Sequence, residues 1–264
     1  MFSWIWRDGA FTPCDSLPLT DRGFRYGMAV FESIRVWKGV PLFWQEHLDR
    51  LRLAIVDRQF TVDEDCFEAG AEILRQHGAD GFARIYITAG DGGVSDPPAG
   101  CRTLLLLEKR ERPTADSYHI AMPQESHQPL FGGLKTANYW AQVDLLQRAL
   151  KRGRDEALLF NEHGELVSAC MGNVFLVKDD QVFTPDLACG ARDGVVREWV
   201  RHQVEAKERS IFVDDVERAD EVFLCNSWIG IMPVRAISER QLPSTAFATR
   251  LRAAFEDSLL RQLP

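Results

Sequence analysis

The sequence predicts an α+β protein of two domains. Short strands separated by turn residues recur in both halves of the chain, which is typical of antiparallel pairing. Segments with apolar residues at helical spacing are interspersed among these strands. Between the halves, RERPTADS (110–117) is charged, contains Pro113 and lacks periodicity. We therefore predict a smaller domain over 1–110, a linker over 111–117 and a larger domain over 118–264.

The smaller domain is predicted to be a sheet with two helices on one face. One helix carries Leu48, Leu51 and Ile55 on a single stripe, and the next ends at Gly78, a residue that favours helix termination. The segment KGVP is a turn between strands, and DGGVSDPPAG is a Gly/Pro loop between two others. Strands are predicted over 2–6, 29–37, 82–90 and 101–109, and helices over 45–59 and 63–78.

The larger domain is predicted to contain an antiparallel run of strands flanked by helices. The turns NEHG and KDDQ separate short apolar segments, and Gly153 closes the first helix. The loop CGARDG leads into the second helix. Strands are predicted over 118–123, 156–160, 165–169, 173–177, 182–185 and 221–227, and helices over 139–152, 195–206 and 245–260.

The composition and charge of the chain exclude several classes of function. Of 264 residues, 45% are hydrophobic and 27% are charged, and the formal net charge is -8. We therefore expect no surface for nucleic acid or anionic membranes. The chain has no apolar run that could span a bilayer, and its N-terminus does not resemble a signal peptide. Six scattered cysteines and six unclustered histidines predict a cytoplasmic protein with free thiols and no metal site.

Lys135 is the lysine with the most unusual setting. In FGGLKTANYW (131–140) it has no charged neighbour within eight residues on either side, whereas the other lysines lie in turns, charge runs or helix ends. A desolvated ammonium loses its charge more easily, and the neutral amine is a nucleophile that can form a Schiff base. A lysine whose head reaches water while its stem packs on apolar groups would show the same context.

Two other segments favour the nucleophile. Gly190 and Gly194 lie just before a predicted helix, and the N–H groups at a helix start form a cup for an anion. In FLCNSWIG, Ser227 and the following N–H groups end a strand at another position suited to an anion. An ordinary loop explains each segment when it is taken alone. A Schiff-base lysine together with a phosphate cup is the combination that pyridoxal phosphate requires.

With these residues assembled, the chain resembles the fold-type IV pyridoxal-phosphate enzymes, the class IV aminotransferases. That family includes branched-chain and D-amino-acid transaminases and aminodeoxychorismate lyase. It implies the two-domain fold of D-amino-acid aminotransferase and a homodimer with shared active sites. The resemblance covers nearly the whole chain in the family's order and rests on DRGFRYGMAVFESIRVWKGVPLFWQEHLDRL (21–51), LKTANYW (134–140), DEALLFNEHGELVSACMGNVFLV (155–177), FTPDLACGARDGVVREWV (183–200) and VFLCNSWIGIMPV (222–234).

The resemblance implies a role for each residue of the site. Lys135 would form the Schiff base with pyridoxal 5'-phosphate and move the proton between the substrate Cα and the cofactor C4′. Tyr139 would lie near the cofactor's phenolic oxygen. The phosphate would be held by Arg50, by the N–H groups of Val195 and Val196, and by the Ser227 hydroxyl.

On the substrate side, the resemblance implies a pocket lined by Tyr26, Phe31 and Arg84. The arginine would help to receive the distal carboxylate of glutamate. The N–H groups of Trp228 and Ile229 would receive a substrate carboxylate. Taken singly, Tyr26 and Phe31 also suit a core, and Arg84 also suits an ion pair at a strand edge.

The chain departs from the family pattern at three places. Ser168 stands where the family usually has a glutamate that holds a proton on the pyridine nitrogen, so we expect a weaker electron sink. Glu165, three residues earlier on the same predicted strand, points to the opposite face and is not expected to substitute. Val196 replaces a threonine, and Arg192-Asp193 replaces Leu-Pro, with Arg192 a candidate phosphate contact. Ala89 replaces an arginine common in D-amino-acid transaminase and in the lyase.

Three functions follow from this pattern. The first is an amino-acid transaminase, acting on a branched-chain or similar amino acid, with a glutamate/2-oxoglutarate half-reaction. The second is aminodeoxychorismate lyase, which releases pyruvate; the K-x-x-N spacing fits it, whereas Ala89 and Tyr139 do not. The third is a degenerate homologue that keeps the fold with weak or no turnover, which Ser168 and Val196 motivate.

Overall fold

The computed structural model describes residues 1–123, 126–127 and 130–263, and it confirms the α+β class. The chain divides into two compact units. The N-terminal unit comprises Met1–Arg112, Lys135–Asn138 and Arg261–Pro264, and the C-terminal unit comprises Pro113–Leu134 and Tyr139–Leu260. Lys135 therefore groups with the N-terminal unit, although it follows the predicted linker in sequence. The predicted domain boundaries themselves stay a prediction.

The N-terminal unit is built on a six-stranded antiparallel sheet with the strand order β2-β1-β6-β5-β3-β4. Its strands are β1 (Phe2–Arg7), β2 (Ala10–Pro13), β3 (Ala29–Trp37), β4 (Val40–Pro41), β5 (Gly81–Thr88) and β6 (Arg102–Lys109). Its helices are α1 (Arg22–Tyr26), α2 (Trp44–Asp57) and α3 (Asp65–His77). The sequence pattern did not predict β2 or α1, because both are too short to show periodicity.

The two longer helices of this unit follow their predicted patterns. Leu48, Leu51 and Ile55 are all buried on α2, which contacts β3. Gly78 ends α3 in the left-handed conformation, with φ 59°, which a glycine adopts without steric cost. His47 is buried one turn before Leu51 on the same face, and this packing brings His47 and Arg50 to Glu32 of β3.

The C-terminal unit is built on a nine-stranded mixed sheet. Its main path is β12-β11-β10-β13-β14-β7-β8-β9, and β15 pairs with β14. Among the described residues, β11 with β12, β14 with β7 and β7 with β8 pair in parallel, and the remaining pairings are antiparallel. The strands are β7 (Tyr118–Ala121), β8 (Glu156–Phe160), β9 (Leu166–Ala169), β10 (Asn173–Lys178), β11 (Gln181–Pro185), β12 (Lys207–Arg209), β13 (Glu221–Asn226), β14 (Gly230–Ile237) and β15 (Arg240–Gln241).

The helices of this unit are α4 (Trp140–Lys151), α5 (Val195–Val204), α6 (Val213–Arg218) and α7 (Ala246–Leu260). Helix α7 packs against β13 and β14, and Phe175 stacks on Phe223 in the core at 5.0 Å between ring centroids. The sequence pattern did not predict α6, β12, β14 or β15. Strand β14 pairs with β13 over 230–234, including Pro233, a residue that lowers strand propensity.

Candidate active site

The segment that carries Lys135 runs alongside β3. The Phe31 N–H donates to the Lys135 carbonyl oxygen at 2.9 Å, and the Ala137 N–H donates to the Ala29 carbonyl oxygen at 2.9 Å. The Lys135 Nζ lies 4.4 Å from the centroid of the Phe31 ring. The amine therefore contacts an aromatic face, and its position is set by backbone hydrogen bonds to a strand of the sheet.

The aromatic surface at Phe31 extends to a second aromatic residue on the neighbouring strand. Its ring stacks on Tyr86 of β5, with centroids 4.8 Å apart and planes at 17°. Arg84 precedes Tyr86 by two residues and so shares its face of the strand. The Arg84 Nη1 lies 3.7 Å from Glu108 Oε2, and the guanidinium lies 4.6 Å from the Phe82 ring centroid. Arg84 therefore makes the expected ion pair, but across to β6 and not at a sheet edge, because β5 is an interior strand. Its role toward a substrate stays a prediction.

Tyr26 ends α1 and is partly exposed, and the Arg25 guanidinium lies 4.8 Å from its ring centroid. The next residue, Gly27, is left-handed, with φ 67°. Its carbonyl oxygen accepts a hydrogen bond from Asn138 Nδ2 at 3.2 Å. The end of α1 is thus tied to the segment that begins with Lys135.

A buried ion cluster lies behind β3. Glu32 Oε1 accepts from Arg50 Nε at 2.8 Å, and Glu32 Oε2 accepts from Arg50 Nη2 and lies 2.8 Å from His47 Nδ1. Burial raises the pKa of Glu32, but the charge of Arg50 and the hydrogen bonds from His47 and Arg50 outweigh it, and the pKa of Glu32 lies well below its usual range. Burial lowers the pKa of His47 and outweighs the hydrogen bond and charge of Glu32, which raise it, and the charges of Arg50 and Lys135 add to the lowering. The cluster therefore holds an ionised Glu32 and a neutral His47.

Sequence reasoning singled out only Arg50 of these three residues. The available signal was FESIRVW followed by EHLDRL, which places Glu32 on the strand and His47 and Arg50 three residues apart on one helix face. The guanidinium of Arg50 is oriented by Glu32 in the structure. Its contact with a phosphate stays a prediction.

In the C-terminal unit, the loop before α5 is held in a defined shape. Asn173 Nδ2 donates to the Arg192 carbonyl oxygen at 2.8 Å. Gly194 is the N-cap residue of α5, and a Cβ at this position would collide with Asn173 Oδ1. Val195 and Val196 form the first turn of the helix, where N–H groups point outward along the axis.

Arg192, a candidate phosphate contact from the sequence, faces a different group. Its Nη1 donates to the Tyr139 hydroxyl oxygen at 2.8 Å, and its Nε donates to the Gly133 carbonyl oxygen at 3.2 Å. Gly133 is left-handed, with φ 80°, and a Cβ there would lie 2.6 Å from the Ala191 carbonyl oxygen. The turn at Gly133 and the loop at Ala191 therefore pack closely, with the guanidinium between Gly133 and Tyr139.

The turn after β13 contains an acceptor that the sequence analysis missed. Asn226 Oδ1 accepts from the N–H groups of Trp228 and Ile229, both at 2.8 Å, and Asn226 Nδ2 donates to the Met171 carbonyl oxygen at 3.0 Å. The two amides predicted to receive a substrate carboxylate thus converge on one carboxamide oxygen. Ser227 lies in the same turn. An asparagine at the end of a strand was the sequence signal, since its side chain favours such turns.

Ser168 is half-buried on β9, and the segment that follows it is fixed by a buried carboxylate. Glu156 accepts from the N–H groups of Ala157, Cys170 and Met171 at 3.0, 3.1 and 3.1 Å. Burial outweighs these hydrogen bonds and raises the pKa of Glu156 to about 7. Glu165 was predicted to be the first residue of this strand, but it lies just before β9. Its carboxylate accepts from Asn161 and from Ser210, so it is engaged away from Ser168.

Taken separately, each unit carries a group that suits one part of a cofactor with an aldehyde and a phosphate: an amine in the N-terminal unit and a helix start in the C-terminal unit. The close approach of loop 191–194 to its neighbours requires glycine at two positions, Gly133 and Gly194. The loop leads into a helix start whose N-cap residue makes no side-chain hydrogen bond, a suitable place for a phosphate. The Lys135 amine suits an aldehyde. Among the described residues, no group of three or more His, Cys, Asp or Glu could hold a metal ion.

Comparison with known proteins agrees with this set of residues. The family model described as "Amino-transferase class IV" matches residues 29–237. The chain is 30% identical over 259 residues to aminodeoxychorismate lyase from Vibrio harveyi, covering 89% of this chain and 91% of that protein. It is 25% identical over 269 residues to branched-chain-amino-acid aminotransferase from Escherichia coli (strain K12), covering 90% and 86%. Among solved structures, the branched-chain aminotransferase from Thermoproteus uzoniensis with norvaline has a TM-score of 0.89 at 22% identity, covering 99% and 96%.

Proposed function

The chain belongs to the class IV aminotransferase family, and we propose that it transfers an amino group between an amino acid and a 2-oxo acid with pyridoxal 5'-phosphate. We propose glutamate and a branched-chain or similar amino acid as the two donors. The observation that carries this proposal is the placement of the Lys135 amine 4.4 Å from the Phe31 ring, with Phe31 stacked on Tyr86 and Arg84 on the same strand face. A nucleophilic amine against an aromatic wall, with an arginine further along the same strand face, suits a dicarboxylic amino acid.

We propose that one set of residues holds the cofactor and that Lys135 also acts on the substrate. When bound, the cofactor supplies an electron sink for the carbanion at the substrate Cα. Lys135 would hold the cofactor through its amine and would move the proton at the substrate Cα. Tyr139 would donate a hydrogen bond to the phenolic oxygen, and Ser168 would face the ring nitrogen. The phosphate is held by the guanidinium of Arg50, the N–H groups of Val195 and Val196, and the hydroxyl of Ser227.

On the substrate side, Tyr26 and Phe31 exclude water and Arg84 receives a distal carboxylate. To receive the other carboxylate, the N–H groups of Trp228 and Ile229 must exchange Asn226 Oδ1 for a carboxylate oxygen. Because a carboxylate is a stronger acceptor than a carboxamide, that exchange is favourable when the substrate is bound. Asn226 then serves to keep the two amides aligned before the substrate arrives.

The position of Ala89 supports a transaminase. Ala89 is completely buried, and its carbonyl oxygen accepts from Arg22 Nη2 at 2.5 Å. The arginine that D-amino-acid transaminases and the lyase commonly have at this position is therefore replaced by a small buried side chain.

A second candidate function is aminodeoxychorismate lyase. The relative from Vibrio harveyi supports it through 30% identity over most of both chains. The K-x-x-N spacing of Lys135 and Asn138 also fits the lyase. The third candidate, a homologue with weak turnover, is supported by Ser168 and by Val196, which is 1% exposed and offers no hydroxyl.

We further propose a homodimer with shared active sites that acts in the cytoplasm. The exposed aromatic residues of α1, Phe24 and Tyr26, support an interface between copies of this chain. All six cysteines are free, which supports a reducing compartment. No helix of the described residues is both long and apolar enough to cross a membrane.

The proposed cofactor linkage is tested by absorption spectra of the purified protein. We expect a near-visible band from the linked cofactor, and we expect Lys135→Ala to lose it while circular dichroism stays unchanged. Lys151→Ala, a change in a helix-end lysine, is the control and should keep the band. A band of equal strength in Lys135→Ala would show that Lys135 does not link the cofactor.

The two reactions are then separated by their substrates. Glutamate or another L-amino acid should bleach the band of a transaminase, and a 2-oxo acid should restore it. Release of pyruvate from aminodeoxychorismate, with no response to any amino acid, would favour the lyase. Binding of the cofactor with no response to either substrate would favour the homologue with weak turnover.

A further inference from the structure

Arg192 and Tyr139 form a pair that the family pattern does not contain. The family has leucine at the first of these positions, and here Arg192 Nη1 donates to the Tyr139 hydroxyl oxygen at 2.8 Å. The guanidinium carbon lies 5.8 Å from the centroid of the Tyr139 ring. Both side chains are half-buried, so water screens their interaction less than it would on an open surface.

The backbone around Arg192 leaves its side chain little freedom. Asn173 Nδ2 holds its carbonyl oxygen at 2.8 Å, and the Gly133 carbonyl oxygen accepts from its Nε at 3.2 Å. Tyr139 is the N-cap residue of α4, and its carbonyl oxygen accepts from the Val143 N–H at 3.0 Å. The two partners are thus fixed by separate elements, and their hydrogen bond is preorganised.

The direction of this hydrogen bond determines what the Tyr139 hydroxyl can do next. A guanidinium only donates hydrogen bonds, so the phenol oxygen must be the acceptor. The hydroxyl then has its own hydrogen to donate to another acceptor. A cationic donor on the oxygen also polarises the O–H bond and strengthens the hydrogen bond that it donates.

We propose that Arg192 is a positioning residue that fixes the Tyr139 hydroxyl as a hydrogen-bond donor toward the phenolic oxygen of the cofactor. This inference rests on the proposed function. A polarised donor favours the ionised form of that oxygen.

The test compares four proteins: the wild type, Arg192→Leu, Tyr139→Phe and the double variant. Absorption spectra at one fixed pH report the ionised share of the cofactor's phenolic oxygen, and a titration with pyridoxal phosphate reports its dissociation constant. In Arg192→Leu, we expect a smaller share of the ionised form and a roughly tenfold larger dissociation constant, the size expected for one hydrogen bond to a charged group. In the Tyr139→Phe background, Arg192→Leu should change neither quantity further.

Two additional variants separate positioning from a structural role. Arg192→Lys keeps a cationic donor and should restore part of the wild-type spectrum. Arg209→Leu is the matched control, because Arg209 also lies over an aromatic ring, Phe183, at 4.6 Å and donates to a backbone carbonyl. Arg209→Leu should leave the spectrum unchanged. Thermal unfolding of each apoprotein reports any loss of folding.

The outcomes distinguish this inference from the proposed function. A wild-type protein with the near-visible band, and an Arg192→Leu variant with the same spectrum and the same dissociation constant, would overturn only the role of Arg192. An equal effect of Arg192→Leu with and without Tyr139 would also overturn it, because Arg192 would then act without the tyrosine. A wild-type protein that binds no cofactor would overturn the proposed function, and this inference with it.

Discussion

At the scale of single residues, Glu32 is the group on which the proposed phosphate ligand depends. It is 2% exposed and receives hydrogen bonds from Arg50, and His47 contacts the same carboxylate. An ionised carboxylate in the interior is tolerated only with such partners, and removing it leaves a guanidinium without its counter-charge. Glu32 therefore orients Arg50 and compensates its charge.

We expect Glu32→Gln to lower the free energy of unfolding at neutral pH by about 2–4 kcal/mol, because Arg50 loses a partly buried ion pair. The pKa of Glu32 is depressed in the fold, so its stabilising effect is present above the unfolded pKa and is lost as the pH falls through the folded pKa. The stability difference between wild type and variant should therefore shrink when urea unfolding is repeated at pH values below 4.5, the ordinary pKa of a glutamate side chain.

Glu72→Gln is the control for this measurement. Glu72 pairs with Arg75 on the exposed side of α3, where ion pairs contribute little to stability. A difference between wild type and Glu32→Gln that stayed constant down to acidic pH would contradict the assignment of an ionised Glu32.

Ser168 gives a second prediction at this scale. If it faces the ring nitrogen, Ser168→Glu restores a charge-assisted hydrogen bond to the protonated ring and lowers the barrier to proton removal, and each ~1.4 kcal/mol changes the rate tenfold. We expect a faster half-reaction with an L-amino acid in stopped-flow measurements, with cofactor occupancy checked first.

The larger side chain must fit beside Leu159, which pairs with Ser168 across the strands. Ser168→Gln has nearly the same size as the glutamate without its charge, and it should not accelerate the reaction. A fully occupied Ser168→Glu variant with an equal or slower proton-transfer step would show that the electron sink of this chain works without a carboxylate.

At the scale of elements, the start of α5 and the loop before it together form the proposed anion-binding site. Asn173 sits at the start of β10, binds the loop through its amide, and contacts Gly194 through its oxygen. The helix dipole and the outward N–H groups of Val195 and Val196 then have a fixed direction. The anion cup is therefore shaped by a strand and a loop as well as by the helix.

We expect Gly194→Ala to destabilise the protein by about 1–3 kcal/mol, the usual cost of overpacking, and to weaken the binding of pyridoxal phosphate. Differential scanning fluorimetry and a cofactor titration measure the two effects. Gly70→Ala, within α3, is the control, because the nearest atoms to the added Cβ would be 3.5 Å away or more. Unchanged cofactor affinity in Gly194→Ala would place the phosphate elsewhere.

At the scale of the whole molecule, the proposed dimer would bury the exposed aromatic residues of α1 beside the proposed substrate pocket. Phe24 is 65% exposed on α1, two residues before the proposed pocket residue Tyr26. Large exposed aromatic residues of this kind favour burial against a partner. A second copy of the chain would shield them and complete the pocket.

We expect sedimentation velocity at micromolar concentration to give a homodimer, and Phe24→Glu to shift it toward monomer because a charge would be buried in the interface. Leu53→Glu, at a position 72% exposed on α2, tests the same substitution on another surface and should leave the dimer intact. A wild-type monomer with full transaminase activity would contradict the shared site.

Much of the secondary structure was predictable because its signals are local. Strand β3 was predicted at its observed bounds, and α3 ends at Gly78 as predicted, since alternation and a terminating glycine act within a few residues. Short elements such as α1 and α6 span too few residues to show a period. Strand β14 was missed because Pro233 argues against a strand that tertiary pairing nevertheless forms.

The sequence by itself determined the family, the order of the proposed site residues and the departures at Ser168, Val196 and Arg192, because these depend on residue identity and spacing. Only the tertiary structure decided the partners of those residues. Arg192 donates to Tyr139 across 53 positions, the Lys135 amine lies over the Phe31 ring, and Asn226 accepts from Trp228 and Ile229. The physical reason is that strand register and loop closure bring distant groups together, and no local propensity encodes which of them meet.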